Sequence, residues 1–154
     1  MVVLILQSVR PSLRGELTRW LIQPAAGVFV GRVSAQDLGM PAGGPGWTVG
    51  GLLGHLAFYD LRAAAILARW KKDGISPSLI DIDIVNDAAR PFFNAVAPDI
   101  VKLLAIEAAE AIDTAIDALD PAFLSRIESE GKPFRLNRAG HREHHLQQIE
   151  KAMA

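Results

Sequence analysis

The histidines of this chain are concentrated close to its end. Three of the four lie in the stretch AGHREHHLQQIE, which covers residues 139–150. His141 and His145 are four residues apart, so on a helix they project from the same face about one turn from each other. They border an apolar stripe that directs them toward the interior of a helical domain, while His144 is rotated toward solvent. The stripe consists of Leu146, Ile149 and Met153.

Two imidazoles at this spacing supply two ligands for a divalent metal ion. A third from a neighbouring helix would complete a tri-His site that leaves one coordination position open. His55 is the remaining candidate, and it lies at the edge of another apolar helical stripe. The chain has no cysteine, so thiolate ligands are excluded. We predict that His55, His141 and His145 bind a divalent metal, with zinc and nickel as the expected ions.

Each of these assignments has a simpler alternative. An H-x-x-x-H pair is common on solvated helices, and a single histidine such as His55 is more often hydrogen-bonded in a core than bound to a metal. The metal site is favoured because all three histidines border inward faces of predicted bundle helices, where such sites are built. Tyr59, one turn from His55, and Glu143 are candidate catalytic residues that handle protons or orient a ligand. Their simpler interpretations are a core tyrosine with a bonded hydroxyl and a solvated glutamate.

Composition indicates a single globular domain. A chain of 154 residues with 50% hydrophobic and 21% charged residues can bury a core and is not typical of disorder. The net charge of −1 gives no reason to expect nucleic acid or an anionic membrane as partner. The apolar start MVVLIL is too short to span a membrane and has no basic segment before it, so we expect a cytoplasmic protein.

From residue 37 onward the pattern changes from a loop to helices. A glycine- and proline-rich loop is predicted for residues 37–46, and Thr48 then caps a helix that extends to about Lys72. Apolar residues at steps of three and four predict the buried face of this helix. These residues are Leu52, Leu56, Tyr59, Ala63, Ile66 and Trp70.

Further helices follow along the chain. Residues 80–84 are interpreted as a connecting segment that leads into a helix. Pro98 begins the next helix, which ends before Pro121, and a last helix carries the three clustered histidines. The fold expected for residues 37–154 is an antiparallel helical bundle.

The first thirty-six residues have a different character. The pattern predicts a strand over residues 2–6, an amphipathic helix over 11–23 and a second strand over 27–34. This segment carries a net charge of +3, whereas residues 37–154 carry −4. We therefore place a domain boundary between residues 36 and 37. The positive charges of the segment are Arg10, Arg14, Arg19 and Arg32.

The larger part of the chain resembles a known family. The stretches GWTVGGLLGHLAFYDLRA, IDIDIVND and LNRAGHREHHLQQIE resemble the DinB/YfiT-like bacterial four-helix proteins over about residues 46–152. In that family a histidine near the start of the second helix and an H-x-x-x-H pair on the last helix bind a divalent metal, and by position these are His55, His141 and His145. The resemblance implies a thiol-dependent transferase or isomerase, or a hydrolase, that acts on a small-molecule substrate. A low-molecular-weight thiol is the cosubstrate it suggests.

The stretch SVRPSLRGELTRWLIQPAAGVFVGRVSA resembles a second family, the CRISPR-associated Cas-two protein of type I-E systems. The resemblance covers only residues 2–36, about the first half of that fold, and Gln7 stands where some members carry a carboxylate. The DinB-like bundle lacks its usual first helix, so we predict that the helix over residues 11–23 takes that place. The strands, which expose unpaired edges, would form an appendage or a homodimer contact.

The expected fold is therefore mainly α: a DinB-like antiparallel four-helix bundle with a short N-terminal β-α-β segment whose helix acts as the first bundle helix. The function we favour is a metal-dependent transferase or hydrolase with a tri-His site. The alternative is a Cas-two-type scaffold of spacer acquisition that binds DNA, although the acidic larger part would oppose a phosphate backbone. A metal-free helical interaction module is the third interpretation. The alternative DNA contacts are Arg10, Arg14, Arg19 and Arg32.

Overall fold

The described part of the chain is mainly α-helical, with a small β-sheet of three short strands near its start. The structure is a computed structural model, and it describes residues 2–5, 22–25, 28–31, 33–130, 134 and 136–154. The strands are β1 (Val2–Ile5), β2 (Ile22–Ala25) and β3 (Val28–Gly31). The helices are α1 (Ala35–Leu38), α2 (Val49–Asp73), α3 (Ile82–Ala95), α4 (Pro98–Asp117), α5 (Pro121–Glu130) and α6 (Ala139–Met153).

Helices α2 and α3 run antiparallel. The hydroxyl of Tyr59, in the middle of α2, donates to Asn86 near the start of α3 at 3.0 Å. At the other end of the pair, the Thr48 hydroxyl that precedes α2 donates to Asn94 near the end of α3 at 3.1 Å. These two polar contacts fix the direction and the register of α3 on α2.

Helix α6 is antiparallel to α2, and α4 is parallel to it. Asp60 of α2 bonds Arg142 near the start of α6, whereas Ile149 near the end of α6 packs with Leu52 near the start of α2. Val101 of α4 also packs with this early part of α2. The four helices therefore alternate in direction along the chain. The mainly α fold and the antiparallel bundle predicted from the sequence are confirmed.

Helix α2 is the central element of the bundle. The Thr48 hydroxyl accepts the Gly51 backbone N–H at 2.9 Å and so caps the helix as predicted. The six residues of the predicted apolar stripe are all buried. By length and composition this is the one described helix that could cross a membrane, and 67% of its most apolar window is buried inside the protein. Such burial is what the core helix of a bundle shows.

A glycine allows α2 and α3 to approach closely. A Cβ atom added at Gly54 would lie 3.3 Å from Phe93 Cβ and 3.4 Å from the Phe93 Cα and carbonyl oxygen. Because the obstructing atoms belong to the backbone of the facing helix, they cannot rotate away. This contact keeps Phe93 against the residues that follow Gly54 on α2.

The core has two apolar clusters at the two ends of α2. The first surrounds the start of α2 and includes Val49, Leu53, Val101 and Ile149. The second surrounds its end and contains Ala63, Ile66, Leu67, Trp70, Ile112 and Ile127. The buried polar and charged residues of the described chain, His55, Asp60 and Arg142, lie in the layer between the two clusters.

The three strands form an antiparallel sheet in the order β1-β3-β2. Val2 pairs with Gly31, and Ile5 pairs with Val28. The sheet lies beside the bundle through contacts of β1 with α4. Residues 22 and 23, predicted as the end of a helix, are instead in β2. As an edge strand, β2 tolerates Pro24 because the missing N–H removes no bond from the sheet interior.

The rest of the predicted helix over residues 11–23 lies outside the described residues. The proposal that it serves as the first bundle helix therefore stays a prediction, and so does the domain boundary after residue 36.

Three elements differ from the sequence-based expectation. Helix α3 begins at Ile82, inside the segment interpreted as a connection, because the Asp81 carboxylate caps it by accepting the Ile84 N–H at 3.1 Å. Helix α1 occupies the start of the predicted loop, where Ser34 and Asp37 form a reciprocal capping box. Helix α5 was not predicted, and its apolar residue Ile127 completes the second cluster.

The Gly54→Val substitution tests the close contact of α2 with α3. We expect it to lower the free energy of unfolding by about 2 kcal/mol, since the added atoms meet the α3 backbone. Urea unfolding followed by circular dichroism measures the change. Gly140→Val is the matched control, because a Cβ there meets nothing within 4 Å and the change should stay within about 0.5 kcal/mol. Equal losses in the two variants would contradict the packing described.

Candidate metal centre

The structure brings the three predicted histidine ligands together. His55 comes from α2, while His141 and His145 come from successive turns of α6. One ligand nitrogen of each lies within 4.8 Å of those of the other two. The Nε2 atoms of His55 and His141 are 3.1 Å apart, and the ring centres are separated by 4.6–5.1 Å. His144 is exposed, as expected from its rotation on the helix.

Gln148 orients His145. Its side-chain oxygen accepts a hydrogen bond from His145 Nδ1 at 2.8 Å, and its amide lies 3.2 Å from His144 Nε2. With the proton on Nδ1, the Nε2 atom of His145 keeps a free lone pair, which is the form a metal requires. The loop residue Gly43 packs closely against the Gln148 side chain. It has a φ of +76°, and a Cβ atom at this position would lie 3.1 Å from the Gln148 oxygen.

Aromatic side chains enclose His55, which is only 5% exposed. Its ring centre lies 4.7 Å from that of Tyr59, 5.5 Å from Trp47 and 6.1 Å from Phe93. Its Nδ1 atom is buried and has no hydrogen-bond partner among the described residues. The enclosed ring directs Nε2 toward the other two imidazoles.

Burial lowers the pKa of all three imidazoles. The pKa of His55 falls to about 4, through burial and then the charges of His145 and Arg138, while the neighbouring Asn86 opposes the shift. The pKa of His141 falls to about 3, through burial, Arg138 and the other histidines. Burial also lowers the pKa of His145, against the bond to Gln148. At neutral pH the three rings are uncharged, the state in which imidazole binds a metal.

A buried ion-pair network lies beside the histidines. Asp60, 2% exposed, accepts hydrogen bonds from Arg138 Nε at 2.7 Å and from Arg142 Nε at 2.9 Å. Arg142 also donates two bonds to Asp113 of α4, at 2.9 and 3.0 Å. Burial opposes the charged form of Arg142, but the carboxylates of Asp113 and Asp60 outweigh it and raise its pKa. The two aspartates and two arginines thus balance each other's charge while joining three helices.

Arg138 links this network to the histidine cluster. While Nε of Arg138 is bound to Asp60, its Nη2 lies 2.8 Å from His141 Nδ1. The ring of His141 is therefore held between the guanidinium of Arg138 on one side and His55 on the other.

The two candidate catalytic residues take different positions. Tyr59 is buried beside His55 and donates its hydroxyl to Asn86. Burial raises its pKa, so the hydroxyl stays protonated at neutral pH. Glu143 is exposed and, two positions after His141, it lies on the opposite face of α6. The structure therefore brings Tyr59 to the cluster and leaves Glu143 away from it.

Several residues around the cluster were not predicted from the sequence. Two of them had a signal in the sequence. Asp60 is the only charged residue between Val49 and Leu61, and a lone carboxylate in such an apolar helix requires a buried partner. Gln148 lies three positions after His145, where a helix places it beside that ring. The other missed residues are Trp47, Phe93, Asp113, Arg138 and Arg142.

The residues present fit a divalent ion. Three neutral imidazoles on two helices form a donor set suited to zinc, nickel and related ions. All three predicted ligand positions are occupied by histidine. The described residues contain no other group of three potential ligands with this mutual proximity.

Comparison with known families defines the class of the protein. The bundle and the histidine cluster are those of a DinB-like helical protein, a group that generally binds a divalent metal. The family model described as mycothiol maleylpyruvate isomerase N-terminal domain matches residues 25–124, close to two thirds of the chain. The chain therefore belongs to this family. The match includes His55 and ends before His141 and His145, which the fold brings next to His55.

The first residues match a different family. A model described as a CRISPR-associated protein of the Cas2 type matches residues 1–37, so both resemblances stated from the sequence are confirmed. The two matches overlap over residues 25–37. No curated protein and no solved structure matches the chain. The alternative DNA contacts lie outside the described residues and stay a prediction; they are Arg10, Arg14, Arg19 and Arg32.

The lowered pKa values predict how the metal-free protein responds to acid. The unfolded chain takes up protons on its histidines near pH 6.5, whereas folded His55 and His141 resist protonation until about pH 4 and 3. Stability should therefore be lost as the pH falls from about 6.5 toward 4. Replacing His141→Gln should reduce this loss by an amount on the order of 2 kcal/mol, less than the full shift implies because part of the ring faces solvent.

Urea unfolding at a series of pH values, in the presence of a chelator, measures this effect. His144→Gln is the matched control, because His144 is exposed and should leave the pH dependence unchanged. Identical pH dependence in the wild type and in the His141→Gln variant would contradict the burial described for His141.

Proposed function

We propose that the protein is a metal-dependent enzyme that uses a low-molecular-weight thiol on a small electrophilic substrate. The single observation that carries this proposal is the convergence of His55, His141 and His145, all uncharged at neutral pH, at one point between two helices. The alternative of a metal-free interaction module gives no reason for three imidazoles to be buried together. The native metal, the oligomeric state and a cytoplasmic location remain predictions.

The ligand nitrogens would be the Nε2 atoms of the three histidines. A divalent cation held there supplies Lewis acidity, which favours the thiolate form of a bound thiol. The remaining tasks belong to the protein. Gln148 holds His145 in the ligating tautomer, and the rings of Trp47 and Phe93 exclude water from one side of the cluster. The low polarity of that side strengthens every electrostatic interaction at the centre.

Tyr59 is the residue we propose to position a substrate group. The ring of Tyr59 contacts the ring of His55. Its hydroxyl is protonated and donates a hydrogen bond to Asn86. A substrate oxygen that approached the cluster would compete with Asn86 for this donor. Tyr59 therefore acts as a hydrogen-bond donor in the proposal, and Glu143, which faces solvent, has no role in it.

A cleft with room for a small molecule lies beside Gln148, the residue that bonds His145, and none of the three histidines lines it. It has a volume of about 470 Å³, within the range of small-molecule sites. Loop residues 41–44 form one side, and Gln148, Lys151 and Ala152 of α6 form the other. Because Gln148 also bonds His145, the cleft and the histidine cluster share a residue. The positive charge of Lys151 favours an anionic substrate.

The family to which the chain belongs supports the choice of chemistry. Its name refers to a thiol, mycothiol, and to an anionic unsaturated substrate, maleylpyruvate. Both match the requirements of the proposed site: a thiol for the cation and a carboxylate for the positively charged cleft. A transferase that adds a thiol to an electrophile and an isomerase that adds and then releases it share this first step.

Metal content tests the histidine cluster directly. Protein purified without a histidine tag should contain close to one equivalent of zinc or nickel when measured by plasma mass spectrometry. The His55→Gln, His141→Gln and His145→Gln variants should each bind zinc more than about 100-fold more weakly, since losing a ligand costs more than losing an outer-shell partner. Competition with a chromophoric chelator gives these affinities.

His144→Gln is the matched control for metal binding. It changes the same residue type on the same helix but removes an exposed ring, so its metal content should equal that of the wild type. Negligible metal in the wild type, or the same content in all four variants, would contradict the proposed centre.

Turnover tests the enzymatic part of the proposal. Zinc-loaded wild type should accelerate the isomerisation of maleylpyruvate, or the addition of a thiol to a related unsaturated acid, only when mycothiol or a simpler thiol is present. Lys151→Ala should raise KM for the anionic substrate with little change in kcat, as expected for a binding charge. Tight metal binding without thiol-dependent turnover across such a panel would show that the protein is not this enzyme.

A further inference from the structure

The contact between Arg138 and His141 determines where the proton of His141 lies. Nη2 of Arg138 is 2.8 Å from His141 Nδ1. A guanidinium has only donors and no acceptor, and it keeps its protons at every pH a protein tolerates. His141 Nδ1 is therefore the acceptor and carries no proton.

The remaining nitrogen of His141 then carries the proton. In a neutral imidazole exactly one nitrogen is protonated, so Nε2 of His141 is a donor, and it lies 3.1 Å from His55 Nε2. His55 accepts through Nε2 and has its own proton on Nδ1, the buried atom that has no partner within the part of the chain that the structure describes. A continuous chain of bonds results, from Asp60 through Arg138 and His141 to His55.

We propose that Arg138 is a positioning residue that holds His141 in the tautomer opposed to metal binding, and so lowers the metal affinity of the cluster. The inference rests on the proposed function, because it names His141 Nε2 as a ligand. To bind the ion, His141 must offer the Nε2 lone pair; the proton on that atom is transferred through solvent to Nδ1. The bond from Arg138 to Nδ1 then breaks, while the bond from Arg138 to Asp60 remains.

The other α6 ligand shows the opposite arrangement within the same site. Gln148 presents an oxygen to His145 Nδ1 at 2.8 Å, so His145 is already in the ligating form. Ligating histidines commonly donate their second N–H to a carboxylate, carbonyl or water. Arg138 instead gives His141 Nδ1 a hydrogen-bond donor with a positive charge, in the place where a ligating histidine usually has a hydrogen-bond acceptor. His145 is thus already oriented for metal binding, whereas His141 must give up its hydrogen bond to Arg138 before it can bind the ion.

Asp60 keeps Arg138 in this position. Its carboxylate is buried and binds Arg138 Nε at 2.7 Å, and Arg138 has a side chain only 12% exposed. The guanidinium therefore cannot swing freely into solvent. A purely structural role for Arg138, as a partner of Asp60 alone, predicts no effect on the proton position of His141, and this difference makes the two roles separable.

The proton position of His141 can be measured in the metal-free protein. Two-dimensional NMR of ¹⁵N-labelled imidazole rings, near neutral pH and with a chelator present, distinguishes a protonated Nε2 from a protonated Nδ1. We expect His141 to be protonated on Nε2 and His145 on Nδ1. On addition of one equivalent of zinc, His141 should change to protonation on Nδ1. Protonation of His141 on Nδ1 in the metal-free wild type would overturn the inference.

The Arg138→Gln variant tests the effect on affinity. A glutamine can present its oxygen to His141 Nδ1, as Gln148 does to His145, so zinc affinity should rise about tenfold, the smaller end of the effect of outer-shell partners. Arg138→Lys retains a cationic donor and should show no such increase. Arg126→Gln is the matched control, since Arg126 is exposed on α5 and pairs with Glu130; it should bind zinc like the wild type.

These outcomes separate the inference from the proposed function. Weaker or unchanged zinc affinity in a folded Arg138→Gln variant would overturn the role of Arg138 while leaving the tri-His centre intact. If the variant fails to fold, the proton positions in the wild type decide the question alone. A wild type that binds no zinc at any concentration would contradict the proposed function itself, whereas the metal-free NMR measurement would still report whether Arg138 holds the proton on Nε2.

Discussion

The carboxylate of Asp60, buried between two guanidinium groups, is the constraint on which the rest of the site depends. It joins α2 to Arg138 and Arg142, which flank His141 on α6, and Arg142 carries the connection to Asp113 on α4. A shift of α6 by one turn would leave at least one of these charges buried without a partner, at a cost of several kcal/mol. The register of α6 on α2 is therefore fixed by charge, and the same register brings His141 and His145 to His55.

The position of this charged layer explains how a small bundle can keep a polar site. The layer lies between two apolar clusters, which close the bundle at both ends of α2 and supply the hydrophobic stabilisation. Buried ion pairs contribute little net stability, but a packing that leaves one of their charges unpaired is strongly destabilised. The short loop before α2 places Trp47 against His55 and so covers one side of the histidine cluster. Backbone bonds from Ala42 N to Trp47 O and from Val49 N to Met40 O hold this loop in place.

The sequence was sufficient to predict the long helices α2, α4 and α6 and the three histidines, because both leave periodic signals. The stripe of α2, its cap at Thr48 and the H-x-x-x-H pair all follow from spacing along one chain segment. Spacing could not predict how Arg138 and Arg142 are used, because their partner Asp60 is about eighty residues away. Short elements such as α5 were missed for another reason: its apolar residues serve a cluster built mainly from α2 and α4. The end of the predicted N-terminal helix was wrong at residues 22 and 23, where pairing with β3 overrides local helical preference.

The N-terminal sheet and the histidine cluster are structurally independent features of one fold. Val33 belongs to the first apolar cluster, Lys102 of α4 donates to its carbonyl at 3.4 Å, and β1 lies beside α4, so the segment is attached to the bundle at a defined place. Every residue of the cluster and of its ion-pair network, however, comes after Thr48. The Cas2-type match therefore bears on how the bundle is covered, whereas the proposed chemistry uses the loop before α2 and helices α2, α3, α4 and α6. A bundle whose register is set internally by buried charge can accept an unrelated segment at its edge, because the geometry of its site does not depend on what covers α4.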